Sequence, residues 1–368
     1  VQPYKPNSLP LENLDYQRLF ALIGDASSEL ARYDGLLQGI TNPQIMLSPL
    51  TNEEAVLSSK IEGTQATVVE VLEQEAGMIK TGEKHKDIQE IINYRTALKE
   101  SHTYLDDRPI TLSFVLQLHK ILLSSVRGQD KTPGEFRKDQ NWIGSYGCTM
   151  EQASFVPPNQ FQLLDYLEQW QTYLASKDID YLLQTAVMHA QFELLHPFKD
   201  GNGRIGRILI PLFLYQKKKL SQPMFYLSSY LESNREQYYS QLQNISATGD
   251  WNSWIAFFLQ AITEQAKTNN RKVTAIMQLY QNMKQQIQQI THSQYTINIL
   301  DALFDAPIFK TTDFIEKSKI NKPTATGLLR QLKEHNILRE KSPGSGRRAA
   351  VLEFTKLWNI TEGKINYL

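Results

Sequence analysis

His196-Pro197-Phe198-Lys199-Asp200-Gly201-Asn202-Gly203-Arg204-Ile205-Gly206-Arg207 is the stretch on which the reading of this chain turns. It brings an imidazole, a carboxylate, a glycine-flanked amide and two guanidinium groups close together. Upstream, apolar residues between Tyr181 and Leu195 recur at helical spacing (Leu182, Leu183, Ala186, Val187, Ala190, Leu194), and Pro197 then stops the helix. Downstream, Arg204 to Tyr215 reads as a second, mostly buried helix. The Gly-Asn-Gly turn therefore opens a helix N-terminus, where free N–H groups and the helix dipole favour an anion. Such a nest suits a phosphate chain.

Each polar residue of the stretch has a task it can perform. His196 can be neutral near pH 7 and take a proton from an attacking hydroxyl. Asp200 offers a hard oxygen to Mg²⁺, which binds through one or two carboxylates together with substrate phosphates. Arg204 and Arg207, at i and i+3, share a helix face and can fork onto phosphate oxygens. Phe198, the apolar residue of the loop, is expected in the core. Taken singly, a His or a Gly-x-Gly would also fit a plain helical elbow with a buried histidine and solvated arginines. Rival phosphate loops fail on spacing, since there is no GxxxxGK[ST] and no GxGxxG after a strand. A zinc site from His189 and His196 lacks a third ligand at metal spacing, and His189 reads as a core or surface histidine.

The twelve residues fit HPFx[D/E]GNGRxxR without a mismatch, and the chain thereby resembles the Fic proteins. The resemblance implies AMP transfer from ATP to a protein Ser, Thr or Tyr hydroxyl with release of pyrophosphate. His196 would be the general base and Asp200 the residue that holds Mg²⁺ or Mn²⁺. ATP would lie on Gly201, Asn202, Gly203, Arg204, Ile205, Gly206 and Arg207, with Asn202 and the turn amides at the α-phosphate and the arginines at the outer phosphates. The implied fold is mainly α, a Fic helical fold with a small β-hairpin flap.

A second segment refines the resemblance. Asn52 to Glu62 reads as a helix with Gly63 as its C-terminal cap. An acid in the last turn opposes the helix dipole and calls for a cation. Ser58-x-x-x-Glu62-Gly63 is similar to the [S/T]xxxE[G/N] inhibitory motif of Fic proteins, and its place before the loop resembles the class II arrangement. In that arrangement the glutamate pairs with the second loop arginine, here Arg207, and keeps the γ-phosphate from docking productively. Outside that context the same residues are a surface acid before a capping glycine.

Two further segments surround the loop. Gly134 to Pro158 is rich in Gly, Pro and aromatics, and its runs Asn141-Trp142-Ile143 and Ser154-Phe155-Val156 read as a β-hairpin. Gly134-Glu135-Phe136-Arg137 resembles the G-x-[FY]-R that precedes the Fic flap, where Ser154, Phe155 and Val156 would align a target segment as an added strand. Leu227 to Gln243 carries Tyr238-Tyr239, which resembles the tyrosine pair near the adenine pocket of related Fic proteins. Paired tyrosines on a helix also serve as core residues, and both readings stay open.

Composition fits an intracellular enzyme. The chain has 368 residues, with 39 basic and 39 acidic groups. It is long enough for two or three domains. One cysteine, Cys148, excludes an internal disulfide. No apolar run approaches about 18 residues, so no transmembrane helix is expected. Val1 to Glu12 lacks the basic-then-apolar order of a signal peptide. The expected location is cytoplasmic.

Helical patterns dominate the rest. Three blocks are expected: 1–105, helical and carrying the inhibitory motif; 106–265, catalytic; and 291–368. Pro109 to Leu123 holds a helix capped by Thr111, Trp251 to Ile262 an apolar helix, and Gln278 to Gln289 a polar linking helix. From about Thr291, helices over Tyr295–Phe304, Lys310–Ser318 and Asn321–His335 precede a hairpin of Ile337–Arg339 and Ala350–Phe354. That order resembles a winged helix-turn-helix. Its 12 Lys and Arg exceed its 8 Asp and Glu, and Thr324, Thr326, Arg330 and Lys333 sit where a recognition helix reads a major groove. Such domains also bind proteins or dimerise, so DNA and a homodimer partner both stay open. Two other functions also stay open: a nucleotide-sensing, DNA-binding transcriptional regulator, and an enzyme that mainly removes AMP through Glu62.

Overall fold

The computed structural model describes residues 2–78, 83–105, 108–124, 131–145, 147–346 and 348–361. The chain forms two compact units that interleave in sequence. Val1–Gly35, Leu57–Thr64 and Gln89–Lys267 make the first; Leu36–Val56, Gln65–Ile88 and Thr268–Leu368 make the second. The helices are α1 (Tyr16–Gln38), α2 (Pro43–Met46), α3 (Ser48–Ile61), α4 (Val68–Glu75), α5 (Glu83–Leu105), α6 (Leu112–Leu122), α7 (Leu163–Ala175) and α8 (Tyr181–Leu195). They continue as α9 (Asn202–Gln216), α10 (Ser228–Ser233), α11 (Arg235–Thr248), α12 (Trp251–Thr291), α13 (Thr296–Asp305), α14 (Thr311–Ser318), α15 (Lys322–Glu334) and α16 (Thr355–Thr361).

The first unit is built around α8 and α9, the helices on either side of the loop. Asp180 caps α8, accepting from Leu182 N–H (2.7 Å) and Leu183 N–H (3.2 Å). Every α8 residue from Leu182 to Phe192 is buried, and such a helix must be surrounded by others. Its neighbours reach it with polar tips as well as apolar surface. Trp170 Nε1 of α7 donates to Met188 O (3.0 Å), and Trp254 Nε1 of α12 donates to Ala186 O (2.9 Å). α9 is buried from Arg204 to Leu214 and takes Pro211 in its interior. Thr111 caps α6 through Phe114 N–H (3.2 Å).

The second unit contains an antiparallel sheet of β1 (Ile308–Lys310), β2 (Arg339–Ser342) and β3 (Val351–Glu353), in the order β1-β3-β2. Phe309 pairs with Leu352 and Glu340 with Leu352, and the β2–β3 register shifts between Glu340 and Ser342. Ile299, Leu303, Phe314, Leu332 and Leu352 are buried in this unit. Asn321 caps α15 by accepting from Thr324 N–H (3.1 Å).

The structure departs from the sequence reading at several points. Ile308–Lys310 is a third strand, whereas Lys310 reads as a helix start; three residues are too few for a periodicity to register. The two helices expected within 251–289 are one helix of 41 residues. Buried Ile262, Ala266, Val273 and Ile276 carry the apolar stripe across the gap between them. Leu227–Gln243 is two helices that break at Asn234. Among the described residues the flap pairs only at Ile143 with Phe155, and its tip makes a 3₁₀ turn at Met150–Gln152. Glu62 lies just past α3 rather than in its last turn.

Candidate active site

The loop between α8 and α9 is held from inside. Asn202 Nδ2 donates to Phe198 O (2.8 Å), and Phe198 N–H donates back to Asn202 Oδ1 (2.8 Å). The Asn202 side chain thus closes the loop and is 2% exposed, so among the turn groups it is the backbone amides that face a ligand. Phe198 is fully buried and stacks on the His119 ring at 3.7 Å. His119 Nδ1 accepts from Gly134 N–H (2.9 Å), so its Nε2 carries the proton and donates to Asp200 O (3.0 Å). Burial holds the His119 imidazole down at about 4, in the neutral form this arrangement needs.

His196 caps α8 in a left-handed conformation, φ 45° and ψ 60°. Its Nδ1 lies 3.3 Å from Glu193 O. A carbonyl can only accept, so Nδ1 bears the proton and Nε2 keeps its lone pair. Burial, with the Arg137 charge acting in the same direction, brings this imidazole down to about 4. Arg137 itself is 3% exposed and reaches three carbonyls. Nε donates to His196 O (3.0 Å), Nη1 to Asp139 O (3.2 Å) and Nη2 to Pro158 O (2.5 Å). Its own N–H donates to Pro197 O (2.8 Å). One guanidinium therefore fixes the His196 backbone and both ends of the flap segment.

At the start of α9 the first intrahelical bond is Ile205 N–H to Gly201 O (3.0 Å), which leaves the amides of Asn202, Gly203 and Arg204 ahead of it. The Glu62 carboxylate lies against Gly203, where a Cβ would collide with Glu62 Oε1. Only glycine admits this approach. Glu62 Oε1 also accepts from Arg207 Nη2 (2.6 Å), with side-chain exposures of 32% for Glu62 and 1% for Arg207. Arg207 Nε donates to Ser58 Oγ (2.8 Å) and Nη2 to Ser58 O (2.9 Å). Burial alone would raise the Glu62 carboxyl, but the charge and hydrogen bond of Arg207 hold it below its ordinary value. A carboxylate of this chain thus lies against Gly203 and Arg207, two residues that the sequence reading assigns to a phosphate chain.

Gly63 sets the direction from which Glu62 arrives. Thr64 N–H donates to Ser59 O (3.2 Å) and Gly63 N–H to Lys60 O (3.0 Å), a Schellman closure with Gly63 at φ 102°. Lys60, in the last turn of α3, pairs with Glu232 of α10 at 2.8 Å.

Arg204 has a different partner. Its Nη1 lies 2.9 Å from Glu90 Oε2 of α5, with side chains 3% and 4% exposed, and its Nη2 lies 3.1 Å from Asp200 Oδ1. Arg204 Nε is buried with no partner. Asp200 Oδ1 also accepts from Gly201 N–H (2.6 Å), and the side chain is 37% exposed. Among the described residues no group of three or more His, Cys, Asp or Glu gathers as a metal cage. A cation here would have the Asp200 carboxylate plus ligand oxygens and water, the donor set Mg²⁺ takes beside a phosphate chain.

The remaining site residues fall into place unevenly. Tyr238 is 1% exposed, and its hydroxyl lies 3.0 Å from His189 Nε2. His189 Nδ1 lies 3.1 Å from Gly206 O and must donate, so Nε2 accepts from Tyr238. Both are core residues. Tyr239 is 42% exposed, with the Arg235 guanidinium 5.8 Å from its ring. Ile205 and Gly206 are buried in α9. Val156 is buried, and its carbonyl accepts from Tyr4 N–H (2.8 Å), so the chain's own N-terminal segment lies along the flap. Ser154 Oγ donates to Ile143 O (2.9 Å), and the Phe155 ring meets that of Tyr4 at 5.8 Å.

Sequence reasoning missed Glu90, the bonds of Arg137 and His119, and Glu193. Glu193 lies beside Gly206, its Oε1 is buried without a partner, and burial raises its carboxyl to about 8. One signal for Glu90 was present: Glu90 and Asn93, at i and i+3, sit among buried Ile88, Ile91 and Tyr94.

Comparison with known proteins agrees with this geometry. Residues 20–103 match the Fic/DOC family N-terminal region and residues 109–214 the Fic/DOC family. Over 243 residues the chain is 25% identical to a probable protein adenylyltransferase of Aquifex aeolicus, covering 64% of this chain and 66% of that protein. Over 188 residues it is 27% identical to protein adenylyltransferase Fic of Aedes aegypti, covering 50% of this chain and 34% of that one. The chain thus spans 66% and 34% of these relatives. A Fic family protein from Desulfovibrio desulfuricans superposes with a TM-score of 0.58 at 18% identity, over 96% of this chain and 98% of that one. A Fic domain containing signaling protein from Bacteroides thetaiotaomicron gives 0.55 at 17% identity, over 68% of this chain and 97% of that one. With the loop, the mostly helical fold and both matched regions in agreement, the chain belongs to the Fic/DOC family.

Proposed function

We propose that this chain transfers AMP from ATP to a Ser, Thr or Tyr hydroxyl of a protein, and that Glu62 holds it in a low-activity state. The observation that carries the reading is a free base beside a phosphate-binding arginine that is already occupied. His196 Nε2 is neutral and unprotonated, while Glu62 lies against Gly203 and holds Arg207 at 2.6 Å. With Glu62 withdrawn, the α9 amides and Arg207 would receive the phosphates of ATP. As the target oxygen bonds to the α-phosphorus, Nε2 takes its proton, the bond to the β-phosphate breaks, and pyrophosphate leaves. Asp200 would hold Mg²⁺ or Mn²⁺, whose charge would neutralise that departing group. Tyr239 and the partly exposed flap residues are the groups available to adenine and to the target.

The C-terminal helices and three-stranded sheet have the element order of a winged helix, and DNA is the partner proposed for them; a homodimer is the other use such a domain supports. A cytoplasmic location fits the single cysteine and the absence, among the described residues, of a helix able to cross a membrane.

The test is incubation of purified wild type and Glu62→Gly with α-labelled ATP in lysate, followed by mass spectrometry. Label should pass to protein hydroxyls and increase in the variant. Adding His196→Ala to Glu62→Gly should lower transfer about 10²–10⁴-fold, the usual worth of a positioned base, with ATP affinity nearly unchanged. Transfer near the parental level in that double variant would remove the loop from the chemistry.

A further inference from the structure

Both loop arginines are met by a glutamate from the helices that precede the loop, yet the two contacts differ in one physical respect. Glu62 is 32% exposed at its contact with Arg207, so an arriving phosphate can take its place. Glu90 and Arg204 are 4% and 3% exposed. No ligand can reach that pair without pulling a buried guanidinium off its carboxylate, which is strongly unfavourable. The first contact is exchangeable and the second is permanent.

We infer that Glu90 is a positioning residue of this site: its carboxylate clamps Nη1 of Arg204 so that the guanidinium meets Asp200 through Nη2 alone and leaves that carboxylate charge for a divalent cation.

The inference rests on the reading of the loop as a magnesium–ATP site. Its physical content is a division of charge. Arg204 lies between two acids, Glu90 at 2.9 Å and Asp200 at 3.1 Å. While Glu90 neutralises most of the guanidinium, Asp200 meets it through one oxygen only and keeps negative charge for a divalent cation. α5 can bear this clamp because it is itself anchored: Asn93 Nδ2, one turn on, donates to Leu122 O (3.1 Å) and Ser124 O (2.5 Å) at the end of α6. If Glu90 loses its charge, Arg204 can turn fully onto Asp200 and compete with the metal.

The experiment uses the full chain carrying Glu62→Gly, with and without Glu90→Gln. Binding of ATP is titrated at a series of Mg²⁺ concentrations, and thermal unfolding and transfer rates are measured alongside. In Glu90→Gln the Mg²⁺ needed for half-maximal ATP binding should rise at least tenfold. Metal-free ATP binding should stay equal, because the change acts on Asp200 and its cation. Glu90→Asp keeps the charge but shortens the reach; it should shift the Mg²⁺ requirement by a smaller factor, and it carries the test if Glu90→Gln does not fold. An unchanged Mg²⁺ requirement in a folded variant overturns the assignment. So does a parallel loss of metal-free and metal-dependent binding, the mark of a merely structural residue. A rise in transfer on Glu90→Gln in the otherwise wild-type chain would make Glu90 a second brake instead. If the Glu62→Gly parent binds no ATP at any Mg²⁺ concentration, the nucleotide reading itself fails and takes this inference with it.

Discussion

His196 adopts a left-handed backbone that residues with side chains avoid at a cost of about 1–2 kcal/mol. The contacts around it explain how it stays there, since Arg137 holds the carbonyls of both His196 and Pro197. The turn aims the ring back over α8, where Glu193 O selects the tautomer with a free Nε2. The Glu193 side chain has no such partner, and its consequence is testable. Its folded carboxyl ionises near 8 against an ordinary 4.5, because burial disfavours the charge. The native state therefore binds a proton that the unfolded state releases across that window. The stabilisation is fully present below pH about 4.5 and is lost as pH rises towards 8. Glu193→Gln carries no ionisable group, so its stability relative to wild type should grow between pH 5 and 8 and then level off. Urea unfolding of both proteins at pH 5 and 8.5 measures this. The same stability difference at both pH values would mean that the carboxyl is already charged in the fold.

The end of α3 supplies the backbone geometry on which the proposed brake would depend. The Schellman closure at Gly63 places Glu62 at the last helical boundary, and the Lys60–Glu232 pair fastens that end to α10. At φ 102° a side chain is strained. Gly63→Ala should therefore cost about 1–2 kcal/mol at the cap and let Glu62 leave Arg207 more often. Transfer should rise above wild type but stay below Glu62→Gly, as read by incorporation of labelled AMP. No rise, with the fold intact, would mean that the cap does not govern the brake. The loop, its flanking helices and Ser58-x-x-x-Glu62-Gly63 were legible because each is a contiguous run whose residue types are constrained together. Glu90 and His119 were not read, since they reach the loop from helices that lie far from it in sequence, and the spacing of Glu90 and Asn93 gives no partner. Tyr238 stayed open for a related reason: a tyrosine beside a core histidine and one beside adenine look alike until burial is known.

At the scale of the whole molecule, the two units recruit alternate pieces of the N-terminal region, and this interleaving was hidden because hydrophobic periodicity reports which face is buried, not against what. The same limit applies to charge. From Thr291 on, the sequence has 12 basic residues against 8 acidic ones, a modest excess that leaves DNA and a protein partner both open. The structure shows where part of that charge goes. Lys333 pairs with Glu340 at 2.8 Å, Lys341 with Glu73 at 2.8 Å and Glu353 at 3.3 Å, and Lys317 with Asp305. Arg330 and Arg339 lie at 3.8 Å from Glu334 and Glu353. A phosphate backbone would have to compete with these carboxylates, and Arg347 at the turn lies outside the described residues. Each phosphate contact contributes about −0.9 to the slope of log affinity against log salt. With these five side chains engaged, random duplex should bind the full chain with a slope no steeper than about −3. Lys322→Ala and Arg348→Ala, which touch residues outside these pairs, should each flatten it by about one. Fluorescence anisotropy from low to physiological salt measures both. A slope near −6 would show that the carboxylate pairs open on DNA, and binding absent even at low salt would assign the domain to a protein partner.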